Sequence, residues 1–420
     1  MHIESPIEPK PVVRRGSRMF RALSHRNYRI FWVGAFLSNC GTWMQSVAQG
    51  WLVLHLTNSP FWLGLDAFMA TAPGILLTLL GGVFADIVDR RRLLIFSQTI
   101  AGTAALGLAV LVSTGLVNPW MILAFSFVTG CCFALASPSY MAMTYDLVGR
   151  EDLANAVALN STQFQLSRVI GPTLAGVGFS LFGLAGCFYA NGLSFIAVVV
   201  ALMMVRPEAY SNPRLQAERH NIWHDLIEGL SYVRNRPRVS SLILLSAVSS
   251  LFGAPYFALV PIYARDIFGL GESGLALMMG VAGGGAFLGA LLVAYLGDFR
   301  RKGWAVIIGG TVAGFCVTLF ALATNLVISL VALFGIGFAI VVSVATENTL
   351  LQKLVTDQMR GRVMSMFMMS FIGTMPIGNI AAGALSQRFG VRHTLAVGGI
   401  IATLAPIFVA LTNKRLRELY

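Results

Sequence analysis

The chain has 420 residues, of which 56% are hydrophobic and 11% charged, with a mean hydropathy of +0.74. A soluble domain carries about 25% charged residues, so this pool cannot make an ordinary water-facing surface and a soluble globular protein is excluded. The formal net charge of +12 would suit a nucleic-acid partner only if the basic residues clustered on one folded surface, but they sit in short segments between long apolar runs, where they orient a membrane protein.

The segment 1–27 is basic and carries Pro6, Pro9 and Pro11, a composition that predicts a disordered tail. It is not read as a cleaved signal peptide, because the apolar run after it has the length of a full span. A membrane-crossing helix needs about 20 mostly apolar residues. Twelve stretches qualify: Ile30–Leu56, Phe61–Ala85, Leu93–Gly115, Pro119–Thr144, Ala154–Phe182, Leu184–Val205, Val239–Ala264, Ser273–Gly297, Trp304–Ala323, Leu326–Leu350, Val363–Ser386 and Thr394–Thr412. The expected fold is therefore an all-α membrane protein of twelve helices, 28–205 and 239–413 forming two six-helix bundles. A linker, 206–238, joins them, and a short tail, 414–420, ends the chain. In the linker, Ile222, Trp223, Leu226, Ile227, Leu230 and Val233 recur at helical spacing, which predicts an amphipathic interfacial helix.

Of the 30 Lys and Arg residues, 26 fall in the termini and alternate connections on one face. Arg265, Arg388 and Arg392 fall on the other, and Arg168 lies inside a span. The first face is the cytoplasmic one by the positive-inside rule, so both termini are expected in the cytoplasm. The two halves also repeat. Ile170, Gly171, Gly176, Phe182 and Gly183 recur at a shift of 207 as Ile377, Gly378, Gly383, Phe389 and Gly390, and Asp86 and Asp298 close spans 2 and 8 at a shift of 212. A duplicated six-span block in one orientation is the parallel-repeat plan of major facilitator transporters, with the substrate site between the halves near mid-membrane.

The loop after span 2, Gly82-Val-Phe-Ala-Asp86-Ile-Val-Asp89-Arg90-Arg91-Arg92, resembles the major facilitator loop signature. Gly82 lets helices approach closely, and Asp86 suits a helix N-terminus or an arginine. The resemblance implies that Asp86 with Arg90 and Arg91 latches the halves in one state. Asp89 stands where a glycine is usual, and the second copy, Ala294 to Asp298 with Arg300, Arg301 and Lys302, is degenerate. The stretch Asp146 to Ser161, continuing through Arg168, Gly171-Pro172 and Gly176, is similar to the subgroup that holds the enterobactin exporter, macrolide-efflux carriers and transmembrane secretion effectors. Trp43-Met-Gln45, Trp51 to Ser59 and Glu228 to Arg234 support that likeness. Gly171-Pro172 further resembles the glycine–proline signature of exchange-type exporters, which implies a pliant hinge that seals against leak. Ala158, Ser167 and Ala175 replace the glycines usual there.

Three formally charged residues lie within the spans: Asp66, Arg168 and Glu347. Charges cost about 2.5–3.5 kcal/mol at the bilayer centre on insertion scales, so each is a candidate for proton coupling. Arg168 is expected deep in the membrane, on a stripe with Asn160, Gln163, Phe164, Ser167, Gly171 and Ala175 that lines the cavity. Asp66 is expected near the outer gate, and Glu347 at the cytoplasmic interface. Asn39, Gln45, Gln49, Arg168 and Tyr256 are the expected substrate contacts, with Ser246, Ser249 and Ser250 nearby on span 7. A methionine group on span 11, Met364, Met366, Met368, Met369 and Met375, suits a surface that accepts several ligand shapes or simple packing. Span 4 carries Ser126 before Gly130, where many drug:proton antiporters have arginine, so coupling does not transfer from them.

No phosphate-cradling loop is present, so ATP is not expected to be the direct energy source. The histidines and the five cysteines show no metal spacing; no metal, cofactor or enzymatic constellation is expected. The reading that follows is a monomeric secondary exporter of small amphipathic molecules in a bacterial inner membrane. It would work by alternating access on a proton or other ion gradient. An importer, facilitator or lipid transporter of the same fold, or a non-transporting receptor or assembly factor, remains open.

Overall fold

The computed structural model describes residues 20–75, 77, 88–205, 222–297 and 299–413, and the side chains of 222–227 are not described. Gly82, Asp86 and Asp298 therefore lie outside the described residues, as does the end of span 2. The described chain is helical throughout. We number the main helices α1 (Arg26–Thr57), α2 (Pro60–Thr71), α3 (Arg90–Ser113), α4 (119–148), α5 (150–182) and α6 (184–204) in the first half. The second half holds α7 (Pro237–Ile267), α8 (Glu272–Leu296), α9 (Lys302–Leu322), α10 (Leu326–Leu354), α11 (Asp357–Phe389) and α12 (Val391–Thr412). The linker helix is Ile222–Arg234.

Helix starts follow local chemistry. Proline occupies the first turn of α2, α4 and α7, where no intrahelical donor is needed. Asn118 Oδ1 accepts from Met121 N at 3.0 Å, and Asp89 Oδ1 accepts from Arg92 N at 2.8 Å. Asp89, the departure from the loop signature, is thus the N-cap of α3. Residues 119–204 run as one helical stretch of 86 residues, which if straight would be about 130 Å long, far beyond a bilayer. It folds back twice, at Gly149 (φ 70°) and Gly183 (φ 68°), where positive φ favours glycine. Asn160 Nδ2 then reaches Thr144 Oγ1 at 3.1 Å across the first fold.

Eight helical stretches among the described residues are long and apolar enough to cross a membrane, the 86-residue one included. Helix α1 is long enough but falls outside that set, because Asn39, Thr42, Gln45, Ser46 and Gln49 dilute its apolar character. Of these, Gln45 is buried, Asn39, Ser46 and Gln49 are half-buried and Thr42 is exposed.

Residues 21–27, read as part of the tail, are helical except at His25 and packed on the first half. Arg21–Ser24 form a 3₁₀ turn, Ala22 is fully buried with its N–H on Asn155 Oδ1 at 2.9 Å, and α1 already begins at Arg26. Arg21 Nε and His25 Nε2 meet Asp152 at 3.0 and 2.9 Å, holding this segment on the α4–α5 turn.

Between the halves, α2 packs on α11 and α5 on α8. Small residues set these approaches: Gly64 meets Gly383, and Gly283 lies under the Arg168 carbonyl. Repeat-related residues play matching parts. Gly171 lies against the α1 backbone at Cys40 O and Met44 N, and Gly378 lies against the α7 backbone at Leu251. Met44 and Leu251 are themselves 207 residues apart, so the duplication read from the sequence is a duplication of packing. Gly183 and Gly390 (φ 86°) likewise end corresponding helices.

Candidate functional site

The Trp43 ring on α1 stands where the halves meet, at mid-helix. The Arg168 guanidinium of α5 lies 5.2 Å from its centroid, within cation–π range. Phe164 of α5 and Phe257 of α7 meet the same ring edge-on, at 5.9 and 5.8 Å. Tyr256 adjoins Phe257 at 6.2 Å and interacts electrostatically with Arg168. The guanidinium makes one long contact, Nη1 to Gln165 Oε1 at 3.5 Å, and among the described residues no carboxylate lies within ion-pair distance. A cation deep in an apolar bundle without a counter-charge is costly unless a ligand or water supplies acceptors. One wall drawn from both halves thus combines flat aromatic faces with an unneutralised cation. Arg168 and Tyr256 come together at this wall, and Asn39 is half-buried without a hydrogen-bond partner among the described residues.

Gln45 and Gln49 do not join that wall. Gln49 Nε2 donates to Asp66 Oδ1 and Oδ2 at 2.9 and 3.0 Å and to Ser126 Oγ at 2.7 Å, and Ser126 Oγ donates to Asp66 Oδ1. Gln45, only 8% exposed, donates to Gln49 Oε1 at 3.3 Å and accepts from Asn191 Nδ2 at 2.6 Å. The chain of bonds ties α1, α2, α4 and α6 together inside the first half. Asp66 is satisfied by neutral donors, and Ser126, the departure from the antiporter arginine, is one of them.

The expected cavity stripe on α5 also needs correction. Gln163 (1% exposed), Ser167 and Gly171 are buried against α1, and Asn160 bonds Tyr28 and Thr144. They form a helix interface, with Arg168 at its edge. Gly171 is thus a point of close approach between α5 and α1, while Pro172, buried next to it, lies toward Gly280 of α8 in the second half. On α7, Ser250 donates to Phe371 O at 2.6 Å, and Ser246 is fully buried; both turn into the second half. Glu347 is not interfacial. It is 1% exposed inside the second half and accepts from Ser343 Oγ at 2.9 Å. The methionines divide: Met364 and Met366 pack on the core beside the linker, whereas Met368 and Met369 are exposed.

At the basic face, Arg90 Nη1 bonds both Asp146 oxygens at 3.0 and 2.9 Å. Arg91 donates to the Leu202 and Met203 carbonyls, both at 2.6 Å. These contacts stay within the first half, so in this conformation Arg90 and Arg91 do not latch one half to the other through them. The bridging contacts lie toward the opposite face. Arg265 of α7 donates to Leu54 O at 3.1 Å and to Asn58 Oδ1 at 2.7 Å, and Ser59 Oγ donates to Gln387 at 2.7 Å. Arg265 and Asn58 are 207 residues apart, each other's repeat counterparts, so their bond sits on the pseudo-twofold axis. Trp43, Phe257 and Arg265 are the members that reading the residues missed. Trp43 carried only a family phrase, Phe257 sits in an apolar run without pattern, and Arg265 counted only as a charge on the sparse face.

Two repeated halves of long apolar helices, meeting at an aromatic and cationic cluster, define a multi-pass membrane protein. The profile of the transmembrane secretion effector family matches residues 17–419, and the chain belongs to that family of major facilitator transporters; it is not an enzyme. It is 23% identical over 403 residues to the "Staphyloferrin A transporter" of Staphylococcus aureus (strain NCTC 8325 / PS 47), covering 93% of this chain and 97% of that one. It is 24% identical over 398 residues to "Enterobactin exporter EntS" of Escherichia coli O1:K1 / APEC, covering 94% of each. "Macrolide efflux protein A" of Streptococcus pyogenes is 20% identical, over 91% of this chain and 95% of its own. In fold it resembles a variant of the nucleoside transporter NupG, with TM-score 0.75, 12% identity and 92% and 99% of the two chains covered. It also resembles a bacterial homologue of the human lysosomal transporter Spinster in an inward-facing conformation, with TM-score 0.71, 15% identity and 97% and 99% covered.

Proposed function

We propose that the protein is a secondary exporter that takes small amphipathic molecules bearing an anionic or acceptor-rich group from the cytoplasm. They would bind in the chamber at Trp43, Phe164, Arg168, Tyr256 and Phe257 and leave through the opposite face. The observation that carries this reading is the Arg168 guanidinium, held over Trp43 with no carboxylate partner where the halves meet. Aromatic faces would hold the flat apolar part of the cargo, and the guanidinium would hold its acceptors. Asn39 borders this space from α1.

The chain would cross a bacterial inner membrane twelve times as a monomer, with both termini in the cytoplasm. The contacts at Arg265, Ser59 and Gly64 support a conformation closed on the outside, ready to load from within. Relatives named for macrolide efflux and enterobactin export support the outward direction. An ion gradient would drive the cycle, with Asp66 as the outer-side proton acceptor and Arg168 sensing the charge of the cargo. Accumulation of a panel of labelled compounds in everted vesicles under an imposed pH gradient tests the reading. Asp66→Asn and Arg168→Ala should each impair accumulation, and wild-type rates in both would overturn it.

A further inference from the structure

We infer that the pocket around Glu347, inside the second half and apart from the central chamber, binds one small monovalent cation, a proton or a sodium ion. The inference rests on the gradient-driven carrier proposed above and gives the driving ion a place.

Glu347 is on α10 with 1% of its surface exposed. Its Oε1 accepts from Ser343 Oγ, while Oε2, also buried, has no hydrogen-bond partner among the described residues. No basic group of the described residues lies within ion-pair distance of either oxygen. A bare buried carboxylate oxygen is among the most costly groups a bundle can hold unless something positive neutralises it. The residue lines a cavity with about 10 Å³ of space for the centre of a water-sized body, enough for one water or one small ion.

The other walls are mostly apolar but bring a few further acceptors. Pro406 on α12 has no N–H to give to the carbonyl of Ala402 one turn earlier, and both residues line the cavity. Ser343 and Ser249 line it as well. Ser249 opens a π turn of α7, Ser249–Gly253, closed by Ala254 N on Ser249 O at 2.9 Å. Such turns inside helices recur at functional sites. Among the residues that line the cavity from α7, α9, α10 and α12, Glu347 is the only titratable or charged side chain. One carboxylate, a released carbonyl and two hydroxyls around a space for one body suit a hard monovalent cation. The carboxylate charge would repel an anion. Asp66 in the first half differs, because both of its oxygens already accept hydrogen bonds.

The test uses the full-length protein in lipid nanodiscs, with sodium chloride and acidification as the probes and choline chloride at equal ionic strength as the control. If sodium binds, the thermal midpoint rises with sodium over choline, the rise vanishes in Glu347→Gln, and its half-saturating sodium concentration increases ~10-fold in Ser343→Ala. If the proton binds, sodium has no effect, and acidification brings up an infrared band of a protonated carboxyl that is missing in Glu347→Gln. Pro406→Ala returns a donor to Ala402 and should move either response without touching Glu347. Should Glu347→Gln fail to fold, responses unchanged in both Ser343→Ala and Pro406→Ala would overturn the site. The absence of both responses in the wild type, or their persistence in Glu347→Gln, would overturn it too. None of these readouts needs transport, so a protein that moves no compound yet shows a titrating or sodium-binding Glu347 would sink the export reading and leave this one standing.

Discussion

Removing the Arg265 side chain should unfasten the closed face. Its Nη1 gives two bonds across the halves, 3.1 Å to Leu54 O at the C-terminal end of α1 and 2.7 Å to Asn58 Oδ1. Hydrogen bonds to charged groups contribute about 1.5–3 kcal/mol each where water is excluded. Arg265 is 27% exposed and also meets its own neighbour Asp266 at 2.6 Å, which keeps part of its solvation and charge pairing when the clasp opens. The net bias toward closure is then about 1–2 kcal/mol, so Arg265→Ala should raise the ratio of outward-open to closed molecules roughly 5- to 30-fold. Asn58 has φ 48°, so Asn58→Gly deletes its side chain without straining the turn and should shift the ratio by less, because Leu54 O remains. Spin labels on the α1–α2 and α7–α8 connections report the distance across this face. Unchanged distance distributions in Arg265→Ala would refute the clasp, and an effect of Asn58→Gly that adds in full to that of Arg265→Ala would refute the direct bond.

Gly171→Ala places a Cβ 2.8 Å from Cys40 O, and Gly378→Ala places one against the Leu251 carbonyl. Each should cost about 1–3 kcal/mol in thermal or denaturant unfolding, and an unperturbed midpoint in both would remove the repeat-related packing argument. Trp43→Ala removes the stacking partner of Arg168, for about 0.5–2 kcal/mol, and should raise the half-saturating concentration of a transported compound about 2- to 30-fold, measured as flux against concentration. Ser126→Ala removes one donor to Asp66 and should alter the pH dependence of gradient-driven accumulation while leaving the closed-face distances unchanged. The linker pair Arg362–Glu228, at 2.6 Å, is partly exposed to solvent; Glu228→Ala should change stability by about 1 kcal/mol or less, and a larger loss would give the linker a structural role that this contact does not explain.

The architecture was legible because it rests on run length, charge placement and repetition, which survive without knowledge of neighbours. The 207-residue shift even foreshadowed which glycines touch which helices. What a helical wheel cannot tell is what a face abuts. Asn160, Gln163, Ser167 and Gly171 do share a side of α5, but α1 occupies it, and at the rim the long side chains of Phe164 and Arg168 meet the Trp43 ring. Gln45 and Gln49 read as substrate contacts, but their partners Asp66, Ser126 and Asn191 come from three other helices whose rotation no local pattern sets. Counting residues put Glu347 at the interface, yet α10 runs on to Leu354 and the residue is covered within its own half. Trp43 and Phe257 gave no polar signal at all, since an aromatic residue in an apolar run reads as packing until the opposite half is in view.

Counterflow is the most direct test of the carrier itself. Proteoliposomes holding the full-length protein are preloaded with an unlabelled amphipathic anion and diluted into a trace of the same compound in labelled form, with no gradient imposed. The account predicts a transient overshoot of internal label for at least one compound of a panel, reduced in Trp43→Ala and Arg168→Ala in step with their weakened binding. Passive leak alone for every compound would contradict a chamber exposed alternately to the two faces.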